Sequence, residues 1–204
     1  RRVARALLGE LSGACGGVDY ARVDQALACF AGPDGAVCRL GPRLAVQRAG
    51  RWLLAGSPEA AAVDVALSVP GQIRLADRGV RLRVRLEAAD RDMLASPPDG
   101  RQAAAMDLAA AGASLRLRSP RRGDVFQPHG MAGRKKLSDF LIDIKWPRLL
   151  RPGVLLLTGV DGQVFWVLGL RTAATVRIAA GTRQAIVAGI EPDDDQATVP
   201  AARD

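Results

Sequence analysis

The chain has 204 residues, of which 49% are hydrophobic and 25% charged, so it can bury one or two cores and is too apolar for disorder throughout. Its formal charge of +8 indicates a polyanionic partner only if the basic residues cluster. It contains no run of about 18 apolar residues, the length of a membrane span, and we expect a cytoplasmic protein that makes no membrane contact. Because a helical pattern begins at Arg1 itself, we also expect the chain to be part of a longer protein.

Residues 1–57 predict a small unit of two helices followed by a β-hairpin. Residues 2–11 carry apolar side chains at helical spacing, and Asp19 is placed to cap a second helix over 20–31. Two strand patterns then meet at Gly41-Pro42. The arginines of this hairpin fit either a phosphate backbone or a solvated face, and the pattern alone does not separate these two interpretations.

The remainder of the chain predicts a linker, a larger second domain and a tail. Residues 58–71 are rich in alanine and proline, which is typical of a linker. Residues 72–192 contain several strand patterns around one principal amphipathic helix, and we expect mostly antiparallel strands. Among the predicted strands are 80–88, with its alternating residues, and 175–181, and Asp161-Gly162 between two apolar runs predicts a hairpin turn. Residues 193–204 are polar and acidic and predict a disordered tail. The predicted fold class is therefore α+β: a small helix-helix-hairpin unit followed by a C-terminal domain of this kind.

The sequence shows no catalytic or metal centre. The stretch Cys15-Gly16-Gly17-Val18-Asp19 is similar to the pyrophosphate loop of adenylating ligases, but a helix precedes it where that loop follows a buried strand. The three cysteines are widely spaced and the chain has one histidine, so neither a zinc site nor a disulfide framework is indicated. We therefore predict no catalytic residue and no cofactor or metal bound to this chain.

The basic residues cluster in 114–151, which carry ten basic and three acidic side chains and all three lysines. Apolar residues at helical spacing, Leu137, Phe140, Leu141 and Ile144, predict a buried stripe on a helix with lysines at its entry and exit. Guanidinium and ammonium groups on a rigid turn and helix suit the phosphates of a folded RNA. The residues predicted to bind RNA are Arg118, Arg121, Arg122, Lys135, Lys136, Lys145, Arg148 and Arg151. A solvated face with lysines paired to Asp139 is the alternative, and charge alone does not decide between them.

A resemblance to a known family adds to this interpretation. The chain contains the ordered string Arg121-x-Gly123-Asp124-x-Phe126, Pro128-x-Gly130-Met131-x-Gly133-x-Lys135-Lys136-Leu137, Asp139-Phe140, Ile142-Asp143, Lys145-x-Pro147-Arg148 and Trp166-Val167-x-Gly169-x-Arg171. By these residues, 118–171 resemble the C-terminal domain of tRNA(Ile)-lysidine synthetase, and residues 2–54 resemble, more weakly, the substrate-binding domain that precedes it.

The resemblance implies a role in tRNA modification. In that family an N-terminal domain, expected to be absent from this chain, uses ATP and magnesium to adenylate the wobble cytidine of the AUA-reading isoleucine tRNA, and lysine then displaces AMP. The resemblance implies that this chain is the part that recognises tRNA(Ile), that its partners are that tRNA and the missing catalytic domain, and that a homodimer stays open. The alternative is a non-catalytic basic module that contacts an acidic protein or serves as a general RNA-binding domain.

Overall fold

The computed structural model describes residues 19–95, 97, 98 and 100–193, with Arg91 described by its backbone alone. Among them, 19–62 and 138–154 form one compact unit, and 63–137 and 155–193 form a second. The predicted helix over 2–11 and the stretch Cys15-Gly16-Gly17-Val18 lie outside the described residues. None of the described helices combines the length and apolar character that crossing a lipid bilayer requires.

The described elements are short helices and mostly antiparallel strands. The α-helices are α1 Tyr20–Ala31, α2 Arg91–Ala95, α3 Leu108–Ala111 and α4 Leu137–Asp143. The strands are β1 Val37–Arg39, β2 Ala45–Ala49, β3 Trp52–Gly56, β4 Asp64–Ser68, β5 Gly71–Leu75, β6 Val80–Ala88, β7 Ala103–Asp107, β8 Ser114–Arg118, β9 Val125–Phe126, β10 Lys135–Lys136, β11 Leu156–Gly159, β12 Val164–Val167, β13 Arg171–Thr172 and β14 Gln184–Pro192. The α+β class predicted from the sequence is confirmed.

The first unit is built from α1 and a three-stranded antiparallel sheet in the order β1-β2-β3. As predicted, the side chain of Asp19 caps α1 by accepting from the amide of Arg22 over 2.8 Å. Apolar residues of α1 pack with those of the sheet because α1 carries them at helical spacing and the strands alternate. The buried cluster consists of Val23, Ala26, Cys29, Leu40, Leu44 and Val46.

The second unit contains two larger antiparallel sheets. Their strand orders are β13-β12-β11-β8-β4 and β5-β6-β14-β7. A separate two-stranded ladder pairs β9 with β10. The Asp161-Gly162 turn joins β11 to β12 as predicted, with Gly162 at a φ of 86°. In the five-stranded sheet Trp166 is fully buried, and its indole Nε1 donates to the carbonyl oxygen of Gly100 over 2.7 Å.

The boundaries of the two compact units differ from the domain boundaries predicted from the sequence. Within the predicted linker 58–71, residues Asp64–Ser68 form β4, which pairs along its whole length with β8. Residues 138–154, predicted to lie in the C-terminal domain, pack with the first unit. In the predicted tail, Asp193 is buried and ion-paired with Arg74 and Arg81, so ordered structure extends at least that far; residues 194–204 lie outside the description.

The basic helix is shorter than the pattern indicated. Lys135 and Lys136 form strand β10, and α4 begins only at Leu137. Leu137, Phe140 and Leu141 are buried as predicted. Ile144 is 40% exposed, because α4 ends at Asp143 and the chain has turned before this residue can join the buried stripe.

Candidate nucleic-acid interface

A tight basic turn follows β8 in the second unit. The amide of Asp124 donates to the carbonyl oxygen of Arg121 over 3.2 Å, and Gly123 has a φ of 92° that favours glycine. After the turn the chain enters the ladder, in which Lys135 pairs with Phe126 and Lys136 with Val125. The ladder thus places the two lysines on the strand that pairs with β9, where the chain leaves the turn.

Arg118 lies inside this arrangement and not on its surface. Its Nη1 and Nη2 donate to Oδ2 and Oδ1 of Asp124 over 2.9 and 2.7 Å, and the two side chains are 3% and 10% exposed. Nη1 and Nη2 also reach the carbonyl oxygens of Ser119 and Gly162 at 3.1 and 3.3 Å. A guanidinium enclosed in this way is not accessible to a phosphate. We therefore assign Arg118 a structural role in place of the predicted contact with RNA.

The carboxylate of Asp124 organises the turn. Burial alone raises its pKa, but the hydrogen bonds from the Arg118 side chain and from the amide of Arg121 outweigh this effect, and the net pKa lies below the ordinary value. The Arg121 amide lies 2.6 Å from Asp124 Oδ2. Asp124 is therefore ionised at neutral pH and fixes the backbone from which Arg121 and Arg122 project.

Asp64 holds two further arginines at the surface. Its Oδ1 accepts from Nε of Arg116, and its Oδ2 lies 2.8 Å from Nη2 of Arg121. The hydrogen bond from Arg116 is the main reason that the pKa of Asp64 lies below its ordinary value. The Arg121 side chain is still 62% exposed, so it can contact a solvent-side ligand while Asp64 restrains it.

Arg122 and Lys136 are two open cations of this surface. Both side chains are exposed, and neither has a hydrogen-bonding or ionic partner among the residues that the structure describes. Lys135 is half-buried and has an interaction of its own. The lysine pairing with Asp139 that an ordinary solvated helix face predicts is not formed by Lys136, since that residue is in the ladder and precedes α4.

The other three predicted residues lie in the first unit. Lys145 follows α4 with a φ of 54°, Arg148 is exposed at the start of a 3₁₀ segment, Arg148–Gly153, and Arg151 is half-buried within it. The structure therefore assigns the eight predicted residues to two units. Each unit carries its own group of basic side chains.

The end of α4 is a Schellman motif with lysine in place of glycine. The amide of Lys145 donates to the carbonyl oxygen of Ile142 over 2.9 Å, and that of Trp146 to Leu141 over 2.8 Å. In this motif the residue just after the helix, here Lys145, needs the left-handed conformation, for which glycine is the usual choice. Lysine at this position carries a conformational cost that a purely structural turn would avoid.

A buried glutamine fixes the 3₁₀ segment to the sheet of the first unit. Gln47 is 5% exposed, and its Oε1 accepts from the amide of Leu149 over 2.7 Å. Nε of Arg151 donates to the carbonyl oxygen of Trp146 over 3.2 Å. Arg148 thus projects from a backbone that is anchored next to it, which reduces the entropy lost when it binds a ligand.

Two arginines outside the predicted set line depressions beside these groups. Arg134 lines a cavity of about 590 Å³ in the second unit, together with Gln127 and Gln163. Arg39 lines one of about 400 Å³ in the first unit, together with Arg148. Arg134 directly precedes the two lysines, so its place in the run could have identified it. Nothing local in the sequence connects Arg39 to Arg148.

Comparisons with known proteins show what this chain is similar to. Residues 115–188 match the family described as the TilS substrate C-terminal domain. The tRNA(Ile)-lysidine synthase of Symbiobacterium thermophilum is 33% identical over 196 residues, which cover 91% of this chain and 40% of that protein. The crystal structure of a TilS C-terminal domain is similar with a TM-score of 0.55 and 26% identity, over 65% of this chain and 98% of that one. This chain is similar to the C-terminal part of tRNA(Ile)-lysidine synthase.

A second relative is more similar over a shorter stretch. The tRNA(Ile)-lysidine synthase of Geobacter sulfurreducens is 43% identical over 74 residues, or 36% of this chain and 16% of that protein. The family resemblance predicted from the motifs is thereby confirmed, and all eight predicted residues lie within the matched range 115–188. The chain spans about 40% of the length of the Symbiobacterium protein, so the activity of the whole enzyme enters below as a proposal.

Proposed function

We propose that this chain is the tRNA-recognition part of a tRNA(Ile)-lysidine synthase that acts in the cytoplasm. In this proposal a separate domain of the enzyme uses ATP and magnesium to adenylate the wobble cytidine of isoleucine tRNA, and lysine then displaces AMP. The chain itself holds the tRNA during these steps and contributes no catalytic group. The similarity to relatives of that name and to a TilS C-terminal domain supports this assignment.

One observation carries the proposal: Arg122 and Lys136 are exposed, lack a partner among the described residues, and project from backbone that the Asp124 turn and the β9-β10 ladder hold in place. Cations that serve stability form ion pairs here, as Arg118 and Arg116 do. Fixed cations without a protein partner suit the phosphates of a duplex, whose spacing is regular.

The proposed contact set follows from the two groups of basic residues. In the second unit it comprises Arg121, Arg122, Lys135 and Lys136. In the first unit it comprises Lys145, Arg148 and Arg151. Arg118 is excluded because its guanidinium is enclosed by Asp124, Ser119 and Gly162.

The test is the salt dependence of tRNA binding by the chain. We expect Arg122→Glu combined with Lys136→Glu to weaken binding of an isoleucine tRNA transcript by at least about tenfold and to lower the slope of log affinity against log salt by about two, because each phosphate contact contributes nearly one. Fluorescence anisotropy at several salt concentrations measures both quantities, and thermal unfolding shows that the variant is folded.

The matched control reverses two exposed arginines elsewhere in the second unit, Arg177→Glu with Arg183→Glu. Its change in net charge is the same, so a long-range electrostatic effect would appear equally in both variants. We expect the control to keep the wild-type salt slope. An unchanged binding constant for the Arg122 and Lys136 variant at low salt, or equal losses in the two variants, would reject the proposed interface.

A further inference from the structure

In the first unit, the tip of the β2-β3 hairpin is held in place by side-chain hydrogen bonds. Ala49 pairs with Trp52 across the two-residue loop Gly50-Arg51, and Gly50 has a φ of 59°. Oδ1 of Asp34 accepts from the Gly50 amide over 2.6 Å, and Nε of Arg48 donates to the Gly50 carbonyl oxygen over 3.2 Å. The two peptide groups that flank the Gly50 Cα are therefore both hydrogen-bonded to side chains, which holds the tip in place.

The tip presents an indole to solvent. Trp52 is 66% exposed, and its cross-strand partner on β2, Ala49, is only partly buried. The guanidinium carbon of Arg51 lies 5.7 Å from the centroid of the Trp52 ring, so a cation covers part of the ring while most of the residue stays accessible. A tryptophan this exposed, at the start of β3 next to a rigid loop, contributes little to the core, and large aromatic side chains in such positions are typical of binding surfaces.

The charges around the tip select the kind of ligand. Arg51 is part of the tip itself, and Arg48 borders it because its Nε bonds to the Gly50 carbonyl oxygen. Asp34 is the acidic group of the loop, and its carboxylate is already engaged by the Gly50 amide. A planar, aromatic ligand attached to a negatively charged chain satisfies both the ring and the arginines, and this is the chemistry of a nucleotide.

We propose that Trp52, with Arg51 over its ring, stacks on an unpaired base of the bound RNA. A base inside a duplex is covered on both faces by its neighbours, whereas a base in a loop or at an end offers a face to an aromatic side chain. This inference rests on the proposed RNA-binding function. It assigns to the first unit a contact of a different kind from the phosphate contacts of Arg122 and Lys136.

Tryptophan fluorescence of the whole chain provides the direct test. Of the three tryptophans, Trp166 is fully buried and Trp146 half-buried, so solvent-exposed emission comes from Trp52. The probes are an eight-nucleotide single-stranded RNA and the blunt duplex formed with its complement. We expect saturable quenching by the single strand, little quenching by the duplex, and no quenching by either probe in Trp52→Leu.

Binding measurements with isoleucine tRNA complete the design. Trp52→Leu should lose affinity by roughly tenfold, as removal of a stacking ring does elsewhere, and Trp52→Tyr should restore most of the loss because it keeps a ring. Tyr20→Leu is the control, since Tyr20 is 64% exposed in the same unit but sits among the acidic residues Asp19 and Asp24. We expect Tyr20→Leu to bind like the wild type.

Two outcomes would overturn the stacking proposal without touching the proposed function. They are salt-dependent tRNA binding that leaves Trp52 emission unchanged, and Trp52→Leu binding tRNA as tightly as the wild type. Equal quenching by duplex and single strand would also reject a role for unpaired bases. If the chain binds no RNA in any of these measurements, the proposed function fails together with the inference.

Discussion

Arg118 and Asp124 form an enclosed bidentate ion pair, with nitrogen-oxygen distances of 2.9 and 2.7 Å, that closes the turn between β8 and β9. Because both side chains are almost fully buried, removal of the arginine would leave a carboxylate without its countercharge. We expect Arg118→Ala to lower the free energy of unfolding by about 3 to 5 kcal/mol, the usual effect of breaking a buried pair. Urea denaturation measures it.

The neighbouring Arg116 provides the control for that measurement. Its ion pair with Asp64 is also part of the second unit, but the two side chains are 44% and 39% exposed. Solvent screens such pairs, and Arg116→Ala should cost less than about 1 kcal/mol. Equal losses in the two variants would contradict the structural role assigned to Arg118.

The pH dependence of stability gives a second prediction for the same pair. The pKa of Asp124 in the folded chain lies below its ordinary value, which is about 3.9 in the unfolded chain, so protons bind the unfolded state more readily. Its contribution is thus fully present above about pH 5 and is lost as the pH falls through the folded pKa. The difference in unfolding free energy between wild type and Asp124→Asn should be greatest at pH 7 and shrink toward pH 3.

Comparing the unfolding free energies of wild type and Asp124→Asn isolates the effect of Asp124 from that of the other carboxylates. Asp64, Asp107 and Asp193 also have a pKa below the ordinary value, and all contribute to acid sensitivity of the wild type. They are shared by Asp124→Asn, so their effects cancel in the comparison. If urea denaturation gave the same difference in unfolding free energy between the two proteins at every pH from 7 to 3, Asp124 would not be held ionised by Arg118.

The case of Arg118 shows where prediction from the sequence reaches its limit. Period-two spacing places Arg116 and Arg118 on the same strand face, and this is the normal expectation for exposed arginines. In the structure β8 lies between β4 and β11, and Asp124 returns across a turn to enclose Arg118. The residues of β8 alone predict neither its neighbouring strands nor the contact with Asp124, so the burial of Arg118 could not be predicted from them.

The same reasoning explains which elements could be predicted. The alternating residues of β6 and the Asp161-Gly162 turn were found because the signal is local: period two in one case, a turn dipeptide in the other. Strand β4 was predicted as part of a linker, since only its pairing with β8, about fifty residues later, makes it a strand. The predicted strand over 175–181 is wrong, because the chain there forms a 3₁₀ turn, Ala174–Val176, and then irregular structure.

Lys145 allows charge and stability to be separated in one substitution. Its φ of 54° belongs to the region that glycine adopts without strain, so Lys145→Gly should leave the free energy of unfolding unchanged or raise it by up to about 1 kcal/mol. The same change removes a cation from the first unit. If Lys145 contacts phosphate, tRNA affinity falls and the salt slope decreases by about one.

Lys145→Arg is the matched comparison, because it keeps both the charge and the strained backbone. We expect it to bind tRNA with the wild-type salt slope and to be no more stable than the wild type. A glycine variant that loses stability would contradict the left-handed turn, and one that keeps the wild-type slope would remove Lys145 from the contact set.

Gln47 is expected to position Arg148 through the backbone of Leu149. Its side-chain oxygen accepts from the Leu149 amide inside the first unit, and leucine at this position would leave that amide buried without an acceptor. The cost of an unsatisfied buried group is about 1 to 3 kcal/mol. Hydrogen exchange of a peptide spanning residues 146–153 should therefore quicken in Gln47→Leu by tenfold or more, and tRNA affinity should fall although no charge has changed.

Gln72→Leu, at an exposed glutamine of the second unit, is the control and should change neither the exchange rate nor the tRNA affinity. Wild-type protection of the 146–153 peptide in Gln47→Leu would show that the 3₁₀ segment is held by other contacts.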